Sequence, residues 1–403
     1  MPLAPGFPEL DFDRYHREEL PALLAAGRAA IAGRAASGRG SLAFRLRGGG
    51  AYTYRRRDDG VEILPGDGAA DTVIELDRDA WQGLVHELEA PAGLLYAGRL
   101  RCARGHAMQL MAWEPGLRAL YNGRPLYEPG RIELRDRCGL PLDVERSFTL
   151  GDDRADRAHF LRCAGYLFVR GVFDAGEIAA FLAESEALRG EARKGDKLSW
   201  WGKNAGGEEI LCRVTRANAK PRLATLPSDP RILALIGLAG EPLAHKKGEG
   251  EGVTVIYKNP DMVEGLGDIP WHRDCGMGGH AVMCPVLIAS IYLTDATPET
   301  GELTMLPGSH TASYTTIHPN HPDAPKGARF RARPGDVSLH FGDTMHAAPP
   351  PTASGLDRYR VSAIVGFARP DAQHHRGEKS YNDVLHGRED GQVEHLERVA
   401  DRA

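Results

Sequence analysis

From Val253 onward the chain is cut into short runs rich in β-branched and aromatic residues, at 253–257, 286–293, 302–306, 337–341 and 359–367, joined by turns rich in Pro, Gly and Asp. Regular short strands with such turns predict a sandwich or barrel of the jelly-roll kind.

The first part of the chain has a different grammar. Segments 41–47, 51–55 and 71–76 read as short strands separated by Gly-rich or Asp-Gly turns. Asp77 can cap a following helix, in which Trp81, Leu84, Val85 and Leu88 recur at helical spacing. A strand at 97–102 comes next. Met108, Leu110, Met111, Leu117 and Leu120 then predict a closing helix with a break at Pro115. Segment 127–150 is rich in Pro, Gly and charge without apolar periodicity, which marks it as a linker. Beyond it, 159–169 runs from a helix end into a strand, and Asp174 with Glu177 forms a capping box ahead of Ile178, Phe181, Leu182 and Leu188. The expected organisation is an α+β domain over 1–130 followed by a mainly β domain over 131–403 with a polar tail.

At 403 residues the chain has the length of two or three domains of ~150 residues, and its 42% hydrophobic content can build their cores. A net charge of -5 gives no general pull toward nucleic acid or an anionic membrane. No apolar run approaches the ~20 residues of a membrane span, and the first residues lack a basic stretch followed by an apolar core, so a cytoplasmic protein is expected. Cys102, Cys138, Cys163, Cys212, Cys275 and Cys284 are scattered without a C-x-x-C pair, which argues for reduced, structural thiols.

Chemistry concentrates in Trp271-His272-Arg273-Asp274 and in His346. Two histidines and one carboxylate can occupy one face of an octahedral iron(II), leaving three positions for a chelating co-substrate and oxygen. With 16 histidines in the chain an H-x-[DE] triplet also arises by chance. His16-Arg17-Glu18 falls in a helical leader and His321-Pro322-Asp323 in a proline-rich loop, neither a suitable setting. Along an extended segment His272 and Asp274 would share a face with Arg273 turned away. His340 competes with His346, and its place inside a strand favours a hydrogen-bonded structural role, although sequence leaves its face open.

A 2-oxo acid that chelates iron at one end needs a cation for its far carboxylate, and a guanidinium fork matches that group best. Arg360 and Ser362, two apart on the strand after His346, supply a cation and a hydroxyl on one face. Arg358 shares that face and is the less favoured candidate. A Lys/Arg-rich stretch from Arg189 to Arg222, with Trp200-Trp201 in its midst, reads equally as a lid over an anionic substrate group or as a solvated surface. The tail from Asp371, with His374-His375, reads as a mobile end or surface helix.

Five motifs in order, Gly165 to Phe173, Trp271-His272-Arg273-Asp274, Gly301 to His310, Gly335-Asp336-Val337 leading to His346, and Tyr359-Arg360-Val361-Ser362, resemble the phytanoyl-CoA dioxygenase family of iron(II)- and 2-oxoglutarate-dependent oxygenases. The resemblance implies a double-stranded β-helix. It also implies iron at His272, Asp274 and His346, 2-oxoglutarate at Arg360, a structural His310, and hydroxylation coupled to decarboxylation of 2-oxoglutarate to succinate and CO2, with O2 consumed. Ala347-Ala348-Pro349 departs from the family's usual polar step after the distal histidine. Asp274, standing where a halogenating enzyme has Gly or Ala, disfavours halogenation. Residues 30–125 resemble the sterol-carrier-protein type of lipid-binding domain through 71–76 and 98–105. That resemblance implies an apolar, acyl or isoprenoid-like small-molecule substrate. The alternative is a lipid carrier with an idle oxygenase domain. A zinc hydrolase is disfavoured because hydrolysis has no use for Arg360 and Ser362.

Overall fold

The computed structural model describes residues 7–58, 60–245, 252–263, 265, 269–276, 285–317, 321–355, 360–371, 388–389 and 391–403. Arg358, Cys284 and the His374-His375 tract lie outside them. Among the described residues no helix is long and apolar enough to cross a membrane.

Strands β1 (Leu42–Leu46), β2 (Ala51–Arg57), β3 (Gly60–Pro65), β4 (Thr72–Leu76) and β5 (Leu100–Arg104) form one sheet in the order β3-β2-β1-β4-β5. β1 and β4 run parallel, and the other pairs are antiparallel. Helix α1 (Arg78–Val85) starts at Asp77, whose carboxylate accepts from the Ala80 amide, as its position ahead of the apolar spacing requires. Helices α2 (Pro91–Tyr96) and α3 (Met108–Asn122) follow, and helical segments over 12–35 cover the same core. α3 continues through Pro115, contrary to the expected break. Eleven of its residues are buried, Pro115 among them, and that packing offsets the one hydrogen bond a proline forfeits. The core itself joins Trp81, Trp113, Phe44 and Leu110 to a polar string in which His16 bonds Tyr54 and Tyr54 bonds Tyr121, each at 2.7 Å.

The rest of the chain folds around two antiparallel sheets. The larger has the order β6-β14-β11-β16-β9-β8-β7: Tyr166–Val169, Val337–Phe341, Leu287–Tyr292, Arg360–Phe367, Val253–Lys258, Glu209–Val214 and Ser199–Lys203. The smaller is β10-β15-β12-β13: Ile269–His272, His346–Ala348, Leu303–Met305 and Ala328–Phe330. Period-2 alternation assigns the faces of the larger sheet. The Tyr257 hydroxyl donates to the Ser185 carbonyl of helix α4 (Ala175–Glu191), so Tyr257 and its register partner Val361 face that helix layer. The neighbouring pair, Lys258 and Arg360, therefore faces the second sheet, and Lys258 Nζ does donate to Ala348 O on β15. Phe168 and Phe330, one from each sheet, stack at 4.2 Å across the gap, a contact worth about 1 kcal/mol beyond its area. The arrangement is the expected jelly-roll, mixed with helices.

The basic stretch is not a free lid. Part of it builds the β7–β8 hairpin at the edge of the larger sheet, where Arg213 lies over the Trp200 ring at 4.3 Å. Lys194 pairs with Glu209 and Lys220 with Glu191. Segment 127–150 has no regular element but hugs the β domain, with Ile132 and Leu134 against Gly308.

A short helix α5 (Leu396–Asp401) brings the chain back to its beginning. Ala400 is buried in the core of the first sheet, Leu396, Val399 and Ala403 pack against that core, and the Tyr96 hydroxyl donates to Glu394 O at 2.9 Å.

Candidate metal centre

β10 and β15 are adjacent antiparallel strands whose register places His272 opposite His346. Their rings lie 4.2 Å apart. Asp274 does not reach them by strand alternation, because β10 ends at His272. It sits in the bend beyond, where its amide donates to Gly342 O at 2.8 Å and Cys275 N donates to the same carbonyl at 3.1 Å. Those two bonds fold the bend back onto the β14–β15 turn and turn the carboxylate inward. One ligand atom from each of His272, Asp274 and His346 then lies within 4.8 Å of the others, a group that could hold a metal ion.

Both imidazoles are prepared for that role. His272 Nδ1 donates to Pro270 O at 2.8 Å and His346 Nδ1 to Thr344 O at 2.9 Å, which leaves each Nε2 with its lone pair toward Asp274, at 3.7 and 3.8 Å. Burial pushes both histidines down to about 4, so both imidazoles are neutral at pH 7. Burial would raise the Asp274 carboxyl. In acid, where the His346 and His272 imidazoles become charged, those charges and a hydrogen bond from His340 outweigh it and hold the group well below the usual carboxylate range.

His340 has a larger part than sequence assigned it. It lies on the inward face of β14, with Nε2 3.4 Å from Asp274 Oδ2 and its ring 4.5 Å from that of His346. The strand register was the missing signal: Val337, Leu339 and Phe341 face outward, so His340 must point in. The other histidine motifs stay apart. His16 is buried in the first core, His321 pairs with Asp323 at 3.8 Å on the surface, and His310 Nε2 donates to Arg162 O while its ring stacks on Phe341.

Arg360 and Ser362 are both buried on the inward face of β16. Arg360 Nη1 donates to Gly301 O at 2.8 Å, Nε has no hydrogen-bond partner, and among the described residues no carboxylate pairs with it. Burial therefore lowers its pKa. A desolvated, half-satisfied guanidinium is costly unless an anion arrives, and the far carboxylate of 2-oxoglutarate fits that requirement. Ser362 adds a hydroxyl beside it, next to Tyr292 on β11.

Two histidines and one carboxylate on this two-sheet frame form a group that could hold a metal ion, a donor set that suits iron(II) with 2-oxoglutarate and O2 as the cofactors. Residues 161–358 match the family described as "Phytanoyl-CoA dioxygenase (PhyH)". Among solved structures, the chain is similar to SnoN, described as a non-heme alpha ketoglutarate dependent epimerase from nogalamycin biosynthesis, at 26% identity over 56% of this chain and 87% of that one, TM-score 0.45. It is also similar to AviO1 from Streptomyces viridochromogenes Tue57, at 23% identity over 55% and 98% of the two chains, TM-score 0.45. HygX from Streptomyces hygroscopicus, solved with nickel and 2-oxoglutarate bound, matches at 21% identity over 53% and 87%, TM-score 0.41. No curated protein gives a significant match.

Proposed function

We propose that the protein hydroxylates an apolar, acyl- or isoprenoid-like small molecule, with His272, Asp274 and His346 as the iron ligands and Arg360 with Ser362 as the 2-oxoglutarate anchor. The observation that carries this reading is Arg360: a buried cation without a counter-anion among the described residues, on the inward face of the sheet that also bears His340 beside the metal group. When bound, iron(II), 2-oxoglutarate and O2 supply a two-electron oxidation coupled to release of succinate and CO2.

The chain's own residues do the rest. The Pro270 and Thr344 carbonyls fix the imidazole tautomers, His340 orients the Asp274 carboxylate, Arg360 binds a carboxylate, and the Ser362 hydroxyl donates beside it. Ile256, Ile288 and Ile364 also point inward but are only half-buried, so they form an apolar wall along the open part of the interior. Such a wall favours a hydrocarbon-like substrate and keeps water from the reacting C–H bond.

The division into 1–130 and 131–403 belongs to the same proposal, with the first domain as a sterol-carrier-like lipid module onto which α5, from the end of the second range, packs back. Its five-stranded sheet, covering helices and large apolar core support that assignment.

Anaerobic titration of the apoprotein with iron(II) and 2-oxoglutarate tests the centre. A weak charge-transfer band near ~500 nm is expected. It should be lost in His346→Ala and weakened in Arg360→Ala. Folded wild-type protein that gives no band refutes the assignment.

A further inference from the structure

Arg273 stands between two of the proposed metal ligands but points away from the metal, into a buried charged row that crosses from one part of the chain to the other. Its Nη1 lies 3.5 Å from Asp343 Oδ1, and its Nη2 donates to Tyr314 O at 3.1 Å. Asp343 lies three residues before His346, on the turn whose Gly342 carbonyl holds the Asp274 bend. Arg118 lies on α3 of the first domain, two helical turns beyond Met111, and its guanidinium is bonded to Glu87 at 3.0 Å; the Asp343 carboxylate also favours its charged form. All four side chains are at most 6% exposed. Both Nη atoms of Arg118 are buried without a hydrogen bond, so its charge is balanced by neighbouring carboxylates rather than by water.

A second, backbone connection runs beside the row. Glu87 adopts φ +56°, a left-handed conformation that turns the chain after α1. Three residues on, the Ala90 amide donates to Gly276 O at 2.7 Å, two residues beyond Asp274. Thr315 Oγ1 donates to Met111 O on α3, close to the Tyr314 carbonyl that Arg273 uses. The first domain thus grips the segments on both sides of the metal group through α3 and the turn that follows α1.

We infer that Arg118 is a positioning residue for the metal centre: paired with Glu87 it fixes α3 against the turn that follows α1, and these two elements brace, across the domain boundary, the backbone on which His272, Asp274 and His346 are presented. The first domain is on this account a structural part of the active site. The inference rests on the proposed metal-binding reading for its affinity arm only.

The experiment uses the full chain and compares Arg118→Met with Arg124→Met. Arg124 also bonds Glu87, at 2.6 Å, but it is one-third exposed, which makes it a control for loss of Glu87 pairing alone. Two readouts are taken: iron(II) affinity under anaerobic conditions, and hydrogen exchange of the 270–276 and 342–346 segments in metal-free protein. Arg118→Met should weaken iron(II) binding by about tenfold or more and speed exchange in both segments, as expected when a group supporting metal ligands is removed. Arg124→Met should leave both within about twofold of wild type, and Arg118→Lys should recover part of the loss. Unchanged exchange and affinity in Arg118→Met, or equal losses in Arg124→Met, would overturn the inference. If Arg118→Met does not fold, Arg118→Lys and Asp343→Asn carry the same comparison. Wild-type protein that binds no iron(II) would sink the proposed function, while the exchange arm would still decide the role of Arg118.

Discussion

Replacing Arg360 with Met separates what the residue does for binding from what it does for folding. The side chain is 6% exposed, bonds only the Gly301 carbonyl and has an orphaned Nε. Methionine keeps most of the stem volume and removes the desolvated charge, so the metal-free protein should be unchanged or more stable, by up to about 2 kcal/mol. Binding should move the other way. A buried carboxylate left without its guanidinium loses about 2–5 kcal/mol, or roughly 30- to several-thousand-fold in Kd. Thermal unfolding of the metal-free protein and anaerobic calorimetric titration of 2-oxoglutarate into the manganese(II)-loaded protein measure the two quantities. A variant that loses more than about 2 kcal/mol of stability yet binds 2-oxoglutarate like the wild type would refute the reasoning, because Arg360 would then be a structural cation.

Three further outcomes are expected. His340→Ala frees the Asp274 carboxylate that His340 now bonds at 3.4 Å, and should weaken iron(II) binding by about tenfold in a competition titration, with a lower melting temperature from the cavity its buried ring leaves. Burial pushes His16 down to about 4 against an opposing bond to the Phe12 carbonyl, so between pH 6.5 and 4 the unfolded chain binds the extra proton. Its contribution, about 3 kcal/mol, is complete above pH 6.5 and is lost as the pH falls toward 4, so melting temperatures at pH 7 and 5 should differ less in His16→Asn than in the wild type. Gly165 has φ +88°, and a Cβ there would lie 2.4 Å from His310 Nδ1 and 2.7 Å from Thr344 Oγ1. Gly165→Ala should therefore cost about 1–3 kcal/mol in denaturant unfolding, and a neutral result would show that the turn relaxes freely.

Local signals made much of this molecule legible in its sequence. Alternating β-branched runs marked β1, β2, β4, β9, β11, β14 and β16, and the Asp174–Glu177 box marked the start of α4, because strands and caps are written in residues a few positions apart. The candidate ligands His272, Asp274 and His346 were legible as chemistry, and the structure brings the three together. The mechanism of that convergence was not. Asp274 is placed by bonds to Gly342, a partner far away in sequence, and not by the pleat of its own strand. β3 escaped notice because Gly60 and Pro65 bound a run that alternates only weakly. Pro115 misled for the opposite reason: a strong local breaker sits in a helix whose stability comes from tertiary burial. The basic stretch had charge legible at once, but its counter-ions Glu186, Glu191 and Glu209 are set against it only by the hairpin and its neighbours.

The return of α5 to the first core makes the chain a closed loop, in which the β domain is inserted between two parts of one packing unit. Cutting before Gly391 would uncover Leu396, Val399 and Ala400 contacts and leave the Tyr96 hydroxyl without Glu394, so damage at the far end of the chain is felt in its opening hundred residues. A tether at both ends also holds the two halves at high effective concentration, and the boundary between them need supply little affinity of its own to stay shut. Cutting the chain near residue 130 should therefore yield not two modules but one truncated core and one β domain carrying an orphaned helix.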